Sequence, residues 1–218
     1  MKGKLTIFIL LLLVTPMPIL AQPNSLILPL SVSDNNPHYL QHSDGTPFFW
    51  LGDTGWEMLH RLSREEIELY LENRKQKGFN VIQTVLISEF IHMDSPTNYY
   101  NDSIFLNEDP EKPALAPGNN PDADAEYDYW DHVEFAIKTA AAKGLYLGLV
   151  ATWGEWVIPR TDTPLFNKRS QTYNYGRFIG NRFRMYNNII WILGGDRHPD
   201  ERPEGPDLWR SMAEGIAD

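Results

Sequence analysis

The chain has 218 residues, a formal net charge of −10 and no cysteine, and 42% of its residues are hydrophobic. Such a composition is ordinary for a folded domain or for part of a larger protein, while the negative charge disfavours binding to nucleic acid or to an anionic membrane surface. The lack of cysteine excludes a disulfide framework, a thiolate zinc site and a cysteine nucleophile.

The chain begins with the pattern of a secretory signal peptide, which we assign to residues 1–21. Lys2 and Lys4 precede an apolar stretch over residues 5–14, and Ala21 is the small residue before a cleavage point. The apolar stretch is shorter than the roughly 20 residues that span a bilayer, so a retained membrane anchor is the less favoured alternative. We therefore expect an exported protein, periplasmic or extracellular, that is free of the membrane after cleavage.

Residues 22–47 form a polar N-terminal lead in which we predict a short β-hairpin. The Asp44-Gly45 pair is a strong turn signal between two short extended pieces, "HYLQ" and "PFFWLG". The second piece is expected to form a buried strand over residues 48–52, which runs into a loop at Gly52 and Asp53.

Four strand-helix units are predicted in the rest of the chain. The first helix begins at Ser63, an N-cap with Glu66 three residues later in a capping box, and ends at Gly78. Apolar runs without strict alternation are typical of strands buried on both faces. The predicted strands lie near residues 48–52, 80–87, 145–151 and 189–193, and the predicted helices near residues 63–78, 125–144, 167–188 and 206–218.

This alternation predicts an α/β fold with a parallel sheet. The loop after the first predicted strand lacks the glycine-rich fingerprints of nucleotide-binding sheets, and polar or aromatic residues follow every predicted strand. In a barrel such residues converge on one site, so a (β/α)8 TIM barrel is favoured over an open doubly wound sheet. Residues 48–218 supply about the first four βα units, and we expect the N-terminal half of a barrel. An open sheet or a dimer is the alternative.

Three segments of the chain resemble one known family. They are "FFWLGDTGWEMLHRLSREEIELYLENRKQKGFNVIQTVL", "GLYLGLVATWGEW" and "NIIWILGGDRHP". The resemblance is to the apiosidase-like glycoside hydrolases, earlier catalogued as a domain of unknown function and sometimes labelled endoglucanases or collagenases. It covers residues 37–218 and implies a (β/α)8 barrel that removes the branched pentose apiose from pectic side chains.

Asp196 is the predicted general acid/base. Glycosidic cleavage needs one carboxylic acid to protonate the leaving oxygen and a second carboxylate as nucleophile or as base for water. Asp196 follows the fourth predicted strand, where reduced solvation would favour the protonated acid, and Gly194 and Gly195 allow a sharp turn and the close approach of a sugar. The resemblance points to the same aspartate. A helix N-cap or a pair with Arg197 is the alternative.

Six further residues are predicted to bind substrate from the carboxyl ends of the predicted strands. Trp56 and Trp153 offer indole rings for stacking on a sugar, and Gln83 is an amide within an apolar strand, which is costly unless it faces a pocket. Asp53 would bind sugar hydroxyls or orient the acid. Ordinary packing, capping or solvation is the alternative at the other positions, and a salt bridge is the alternative for Arg197. The predicted set is Asp53, Trp56, Gln83, Glu89, Trp153 and Arg197.

An unusually long loop, residues 94–125, follows the second predicted strand. Loops of this length are lids, binding loops or disordered segments. Its position would place Tyr99 and Tyr100 over the pocket, within reach of an extended glycan, and a mobile acidic surface loop is the alternative. No metal or cofactor is expected, because the chain lacks an HExxH motif and paired histidines. A Ser-His-Asp triad is not expected either, because the GxSxG elbow of serine hydrolases is absent.

These observations predict an exported glycoside hydrolase that acts on an oligosaccharide or polysaccharide of the plant cell wall. The second carboxylate is expected near the seventh strand of the barrel, beyond residue 218, so the 218-residue chain is expected to be inactive by itself. A secreted glycan-binding protein without catalysis is the main alternative, because it would use the same aromatic loops. A barrel hydrolase of peptides or esters is a third possibility.

Overall fold

The computed structural model describes residues 27–88, 97–123, 125–159 and 164–218. The predicted signal peptide, the predicted substrate ligand Glu89 and the start of the long loop therefore lie outside the described residues. No helix within these ranges combines the length and the apolarity that a membrane span requires.

The described residues form seven strands, five α-helices and three short 3-10 helices. The strands are β1 (Leu30–Val32), β2 (Leu40–His42), β3 (Pro47–Phe48), β4 (Gly52–Thr54), β5 (Val81–Val85), β6 (Tyr146–Val150) and β7 (Ile189–Ile192). The α-helices are α1 (Met58–Arg61), α2 (Arg64–Gln76), α3 (Tyr129–Ala142), α4 (Arg169–Phe183) and α5 (Gly205–Ala217). The 3-10 helices are Leu106–Glu108, Gly154–Trp156 and Pro199–Glu201.

The predicted hairpin is present, but the prediction of one continuous strand over residues 48–52 is wrong. β1, β2 and β3 form an antiparallel sheet, and Asp44 accepts a hydrogen bond from Thr46 N in the turn between β2 and β3. The apolar run 48–52 is divided between two sheets, because β3 ends at Phe48 and β4 begins at Gly52. Between them the amide of Asn80 accepts from Leu51 N and donates to Phe49 O, which satisfies backbone groups that a continuous strand would have paired.

The second sheet is parallel, as predicted, and its described strands run in the order β4-β5-β6-β7. Side chains alternate between its two faces. Ile82, Leu147 and Leu149 pack into the main core with α2, α3 and α4, whereas Val81 and Tyr146 point to the other face, against the N-terminal segment. The helices thus cover one face of the sheet.

The helix α2 begins at the predicted N-cap, and α3 begins at a cap that was not predicted. Ser63 and Glu66 form the expected capping box before α2, and Asp128 forms a second one with Asp131 before α3. Gly78 has a φ of +86°, which only glycine adopts without strain, and it turns the chain from α2 into β5. Local sequence therefore sets the helix ends.

The fourth parallel strand is less buried than predicted. Residues 189–193 were expected to be covered on both faces, but β7 is only half-buried and Leu193 is 37% exposed. The reason is topological, since β7 is the last strand in the described sheet order and lacks a neighbour along its outer edge within the described residues.

Two histidines lie in the core between helices and sheet. His60 is 7% exposed and stacks on Tyr129 at a centroid distance of 5.7 Å. His132 is fully buried, and its Nε2 lies 3.1 Å from Leu62 O. Burial lowers the pKa of each ring to about 4, because the charged imidazolium loses its hydration.

We expect stability to fall as the pH drops from 6.5 towards 4. Both rings are neutral in the folded chain across this range, while the unfolded chain takes up a proton at the ordinary histidine pKa of about 6.5. Each histidine then lowers the unfolding free energy by up to about 1.4 kcal/mol per pH unit. Urea unfolding at several pH values measures this slope.

The variant His132→Gln should have a shallower slope, and exchange of the exposed His38 for Gln should leave it unchanged. An unfolding free energy that is constant over this range, or a wild-type slope in His132→Gln, would contradict the assignment.

Candidate active site

The chain segments that follow the four parallel strands meet at one edge of the sheet. Trp153 N donates to Ile87 O at 2.9 Å, and the indole of Trp156 donates to Ser88 O at 3.1 Å. Trp56, two residues beyond β4, packs edge-to-face with Trp153 at a centroid distance of 4.8 Å. The parallel arrangement therefore brings the predicted residues Trp56 and Trp153 together.

The loop after β7 packs on Trp153. Gly194 has a φ of +104° and turns the chain sharply, as its sequence position predicts. A Cβ at position 195 would lie 2.7 Å from both Gly154 N and Trp153 Cε3, so a side chain there would displace the loop or the indole. Gly195 was expected to allow the close approach of a sugar, but the group that lies close to it is the indole of Trp153.

Asp196 follows these glycines and is exposed. It makes no hydrogen bond or ion pair with any described residue. It is therefore neither a helix N-cap nor the partner of Arg197, the two alternatives to a catalytic role. His198, and not Asp196, is the N-cap of the 3-10 helix Pro199–Glu201. The expectation of reduced solvation is not met within the described residues, because the fold leaves this edge of the sheet open to solvent.

Arg197 is tied to the neighbouring loop. Its guanidinium forms an ion pair with Glu155, and the two side chains are 12% and 28% exposed. This contact is the salt-bridge alternative foreseen for Arg197, and it links the loop after β7 to the 3-10 helix after β6. The ion pair positions the backbone beside Asp196 and leaves the Asp196 carboxylate free.

Gln83 lies on the face of the sheet opposite the helices. It is level with Thr54 and Gly148 in the register of the strands. A Cβ on Gly148 would come within 3.2 Å of Gln83 Cγ and 3.6 Å of the Trp50 ring, so these groups share one surface. The side chain of Gln83 is half-buried there.

Asp53 lies on the other face, and the geometry does not support its predicted contact with substrate. It sits within β4 rather than after it, level with the core residue Ile82. Its carboxylate accepts a hydrogen bond from the hydroxyl of Tyr70 at 3.0 Å and pairs with Arg74 at 2.8 Å. Asp53 therefore fastens α2 to the sheet.

Glu57 is a strand-end carboxylate that the sequence reasoning missed. It accepts a hydrogen bond from the hydroxyl of Ser88 at 3.1 Å and forms an ion pair with Arg61. The rule that selected Asp196, a carboxylate just beyond a strand, applies equally to Glu57. The predicted strand ended at residue 52, whereas β4 ends at Thr54. Asp53 was therefore taken as the acid that follows the strand, and Glu57 was overlooked.

Among the described residues, the strand-end segments offer one unpaired carboxylate, that of Asp196, near a pair of tryptophans. The described residues contain no cluster of three side chains suited to hold a metal ion. A carboxyl group with solvent access can exchange a proton, and indole rings bind the apolar faces of sugars. These features match acid/base chemistry on a carbohydrate.

Two solved structures are similar to this chain in both fold and sequence. One named "Glycoside hydrolase" is 36% identical, with a TM-score of 0.69 over 87% of this chain and 38% of its own. A glycoside hydrolase family 5 protein from Bacteroides vulgatus ATCC 8482 is 34% identical, with a TM-score of 0.68 over 87% of this chain and 37% of its own. The chain thus spans less than two fifths of the length of either relative.

A more distant structure shares the fold alone. The endo-1,4-beta-mannanase from Rhizomucor miehei is 13% identical, with a TM-score of 0.50 over 74% of this chain and 47% of its own. No curated protein matches the chain. Fold, site and comparisons together define a domain of the glycoside hydrolase type. The model of the apiosidase-like catalytic domain matches residues 34–218, and the chain belongs to this family.

The ion pair between Arg197 and Glu155 should couple the two loops energetically. In a double-mutant cycle with Arg197→Ala and Glu155→Gln, we expect a coupling of about 1 kcal/mol in the unfolding free energy, because both side chains are largely shielded from water. The exposed pair Arg169 and Glu214, at 61% and 47% exposure, is the matched control and should couple less. Equal couplings in the two cycles would show that the loops are not joined by this contact.

Proposed function

We propose that this chain is the N-terminal part of the barrel of an exported, apiosidase-like glycoside hydrolase that acts on pectic side chains. Asp196 is the general acid/base in this proposal. The observation that carries it is the geometry of Asp196, a solvent-accessible carboxylate that is unpaired among the described residues. It lies at the carboxyl edge of a parallel sheet, on a loop packed against Trp153.

The catalytic step follows from the chemistry of glycosidic cleavage. Protonated Asp196 donates its proton to the leaving oxygen as the bond from that oxygen to the anomeric carbon breaks. Positive charge develops on the sugar ring, and a second carboxylate attacks that carbon or activates the water that does so. Trp56 and Trp153 provide the aromatic surface beside the reacting sugar.

The second carboxylate is not expected among the described strand-end acids. Glu57 is paired with Arg61, Glu155 with Arg197, and Asp53 with Arg74 on the helix-covered face. A carboxylate in an ion pair must give up that contact to attack a sugar, and the arginine would then be left without its partner. We place the second carboxylate elsewhere in the barrel, in keeping with the greater length of the solved relatives.

Replacement of Asp196 by Asn in the complete protein should lower kcat by about 10²–10⁴-fold with little loss of sugar binding, because the amide keeps the shape of the acid but has no proton to give. The loss should be smaller for a nitrophenyl glycoside, whose leaving group needs no protonation. Steady-state kinetics on both substrates and calorimetric binding measure the two effects.

Asp200→Asn is the matched control, since Asp200 is an exposed carboxylate on the same loop. Unchanged turnover in Asp196→Asn would refute the acid/base role, and if sugar binding persisted without any turnover in the unaltered protein, a glycan-binding protein would be the better description.

The 218-residue chain by itself should show no detectable glycosidase turnover in the same assay, because a single carboxylate cannot supply both catalytic roles. Measurable activity of this chain that disappears in Glu57→Gln would assign the second role to Glu57 and contradict the proposal.

A further inference from the structure

A concave site lies near the carboxyl edge of the parallel sheet. It is a cavity of about 480 Å³ between the loop that contains the 3-10 helix Leu106–Glu108 and the segment that leads into α4. This volume is within the range of small-molecule sites. Its lining includes Ile87, Phe105, Glu108, Trp156, Leu165 and Lys168.

The floor of the cavity is apolar and rigid. Ile87, Phe105 and Trp156 are 1%, 5% and 9% exposed, so each is fixed by the core behind it. The indole of Trp156 is further held by its hydrogen bond to Ser88 O. An aromatic floor below a polar rim of amides, carboxylates and an amine is the general composition of a site for a sugar ring.

The cavity adjoins the catalytic edge of the sheet. Ile87 lies two residues beyond β5, and Trp156 lies in the 3-10 helix that follows β6. Glu155, the neighbour of Trp156 in the chain, forms the ion pair with Arg197 next to Asp196. One short segment of the chain thus contributes a residue to the cavity and a residue to the contact beside Asp196.

The charges of the rim favour an uncharged ligand. Among the described residues, three carboxylates line the cavity, those of Glu108, Asp109 and Glu111, against the one amine of Lys168. Asp109 is paired with Lys112, and Glu111 accepts a hydrogen bond from Asn174. The remaining excess of negative charge would repel a uronate but would accept hydrogen bonds from the hydroxyl groups of a neutral sugar.

The backbone at the rim is held in an uncommon conformation. Asn107 and Glu108 have φ values of +53° and +57°, in the left-handed region that residues other than glycine rarely adopt. Backbone of this kind is retained where surrounding structure imposes it, and it occurs often at ligand sites. Here it places the Glu108 side chain at the cavity.

We propose that this cavity is an accessory subsite for an uncharged sugar residue of the substrate, away from the bond that is cleaved. The proposal rests on the proposed function for its link to catalysis, and on the cavity alone for the binding of neutral oligosaccharide.

The test is saturation-transfer difference NMR on the 218-residue chain with three neutral probes, xylotetraose, arabinotetraose and mannotetraose, and one charged probe, tetragalacturonate, each at about 10 mM to detect weak binding. At least one neutral probe should give transfer from the protein. Lys168→Trp, which fills the cavity from an exposed position, should weaken its binding about tenfold or more. The matched control Ser170→Trp adds the same indole at an exposed position outside the cavity lining and should not weaken binding.

Three results would overturn the subsite: no binding of any neutral probe, equal binding to Lys168→Trp and the unaltered chain, or tetragalacturonate binding as strong as that of the neutral probes. The variants Lys168→Trp and Asp196→Asn test the subsite and the acid/base role separately, because the first is read by sugar binding and the second by turnover. If Lys168→Trp alone weakens binding while Asp196→Asn in the complete protein keeps its turnover, the subsite stands and the acid/base role falls.

Discussion

The parallel register of the four strands β4 to β7 is the constraint on which the site depends. Parallel strands in consecutive order all end at the same edge, so the segments that follow them meet there whatever their separation in sequence. Trp56 and Gly195 are separated by most of the chain, yet both lie against the indole of Trp153. Loss of this register would scatter the site without altering a single functional side chain.

The two faces of the same sheet separate two polar residues that were both predicted to bind substrate. Asp53 and Gln83 both lie within strands, and a rule based on proximity to strand ends cannot separate them. The alternation of side chains does so: Asp53 is level with Ile82 and meets α2, while Gln83 is level with Gly148 on the opposite face. Correct strand bounds are therefore needed to predict which polar side chains face the helices and which face the opposite side of the sheet.

The sequence predicted those features that local chemistry determines. The capping box at Ser63, the turn at Asp44 and Gly45, and the parallel α/β order follow from neighbouring residues and are present. The first parallel strand was misplaced because the amide of Asn80, about thirty residues away in the chain, decides where one sheet ends and the next begins. The pairing of Arg197 with Glu155 also joins distant segments, and periodicity carries no signal for such contacts.

The contrast between Asp196 and its acidic neighbours among the described residues bears on the proposed acid/base role. A carboxylate that donates a proton must be able to hold one, and an adjacent arginine would oppose this by favouring the charged form. Arg197 is the arginine nearest to Asp196 in the sequence, and it forms an ion pair with Glu155 instead. The glycines at 194 and 195 then seat the loop on Trp153, so its position does not depend on the Asp196 side chain. Backbone fit and the neighbouring ion pair hold the loop, and the carboxylate itself remains free for chemistry.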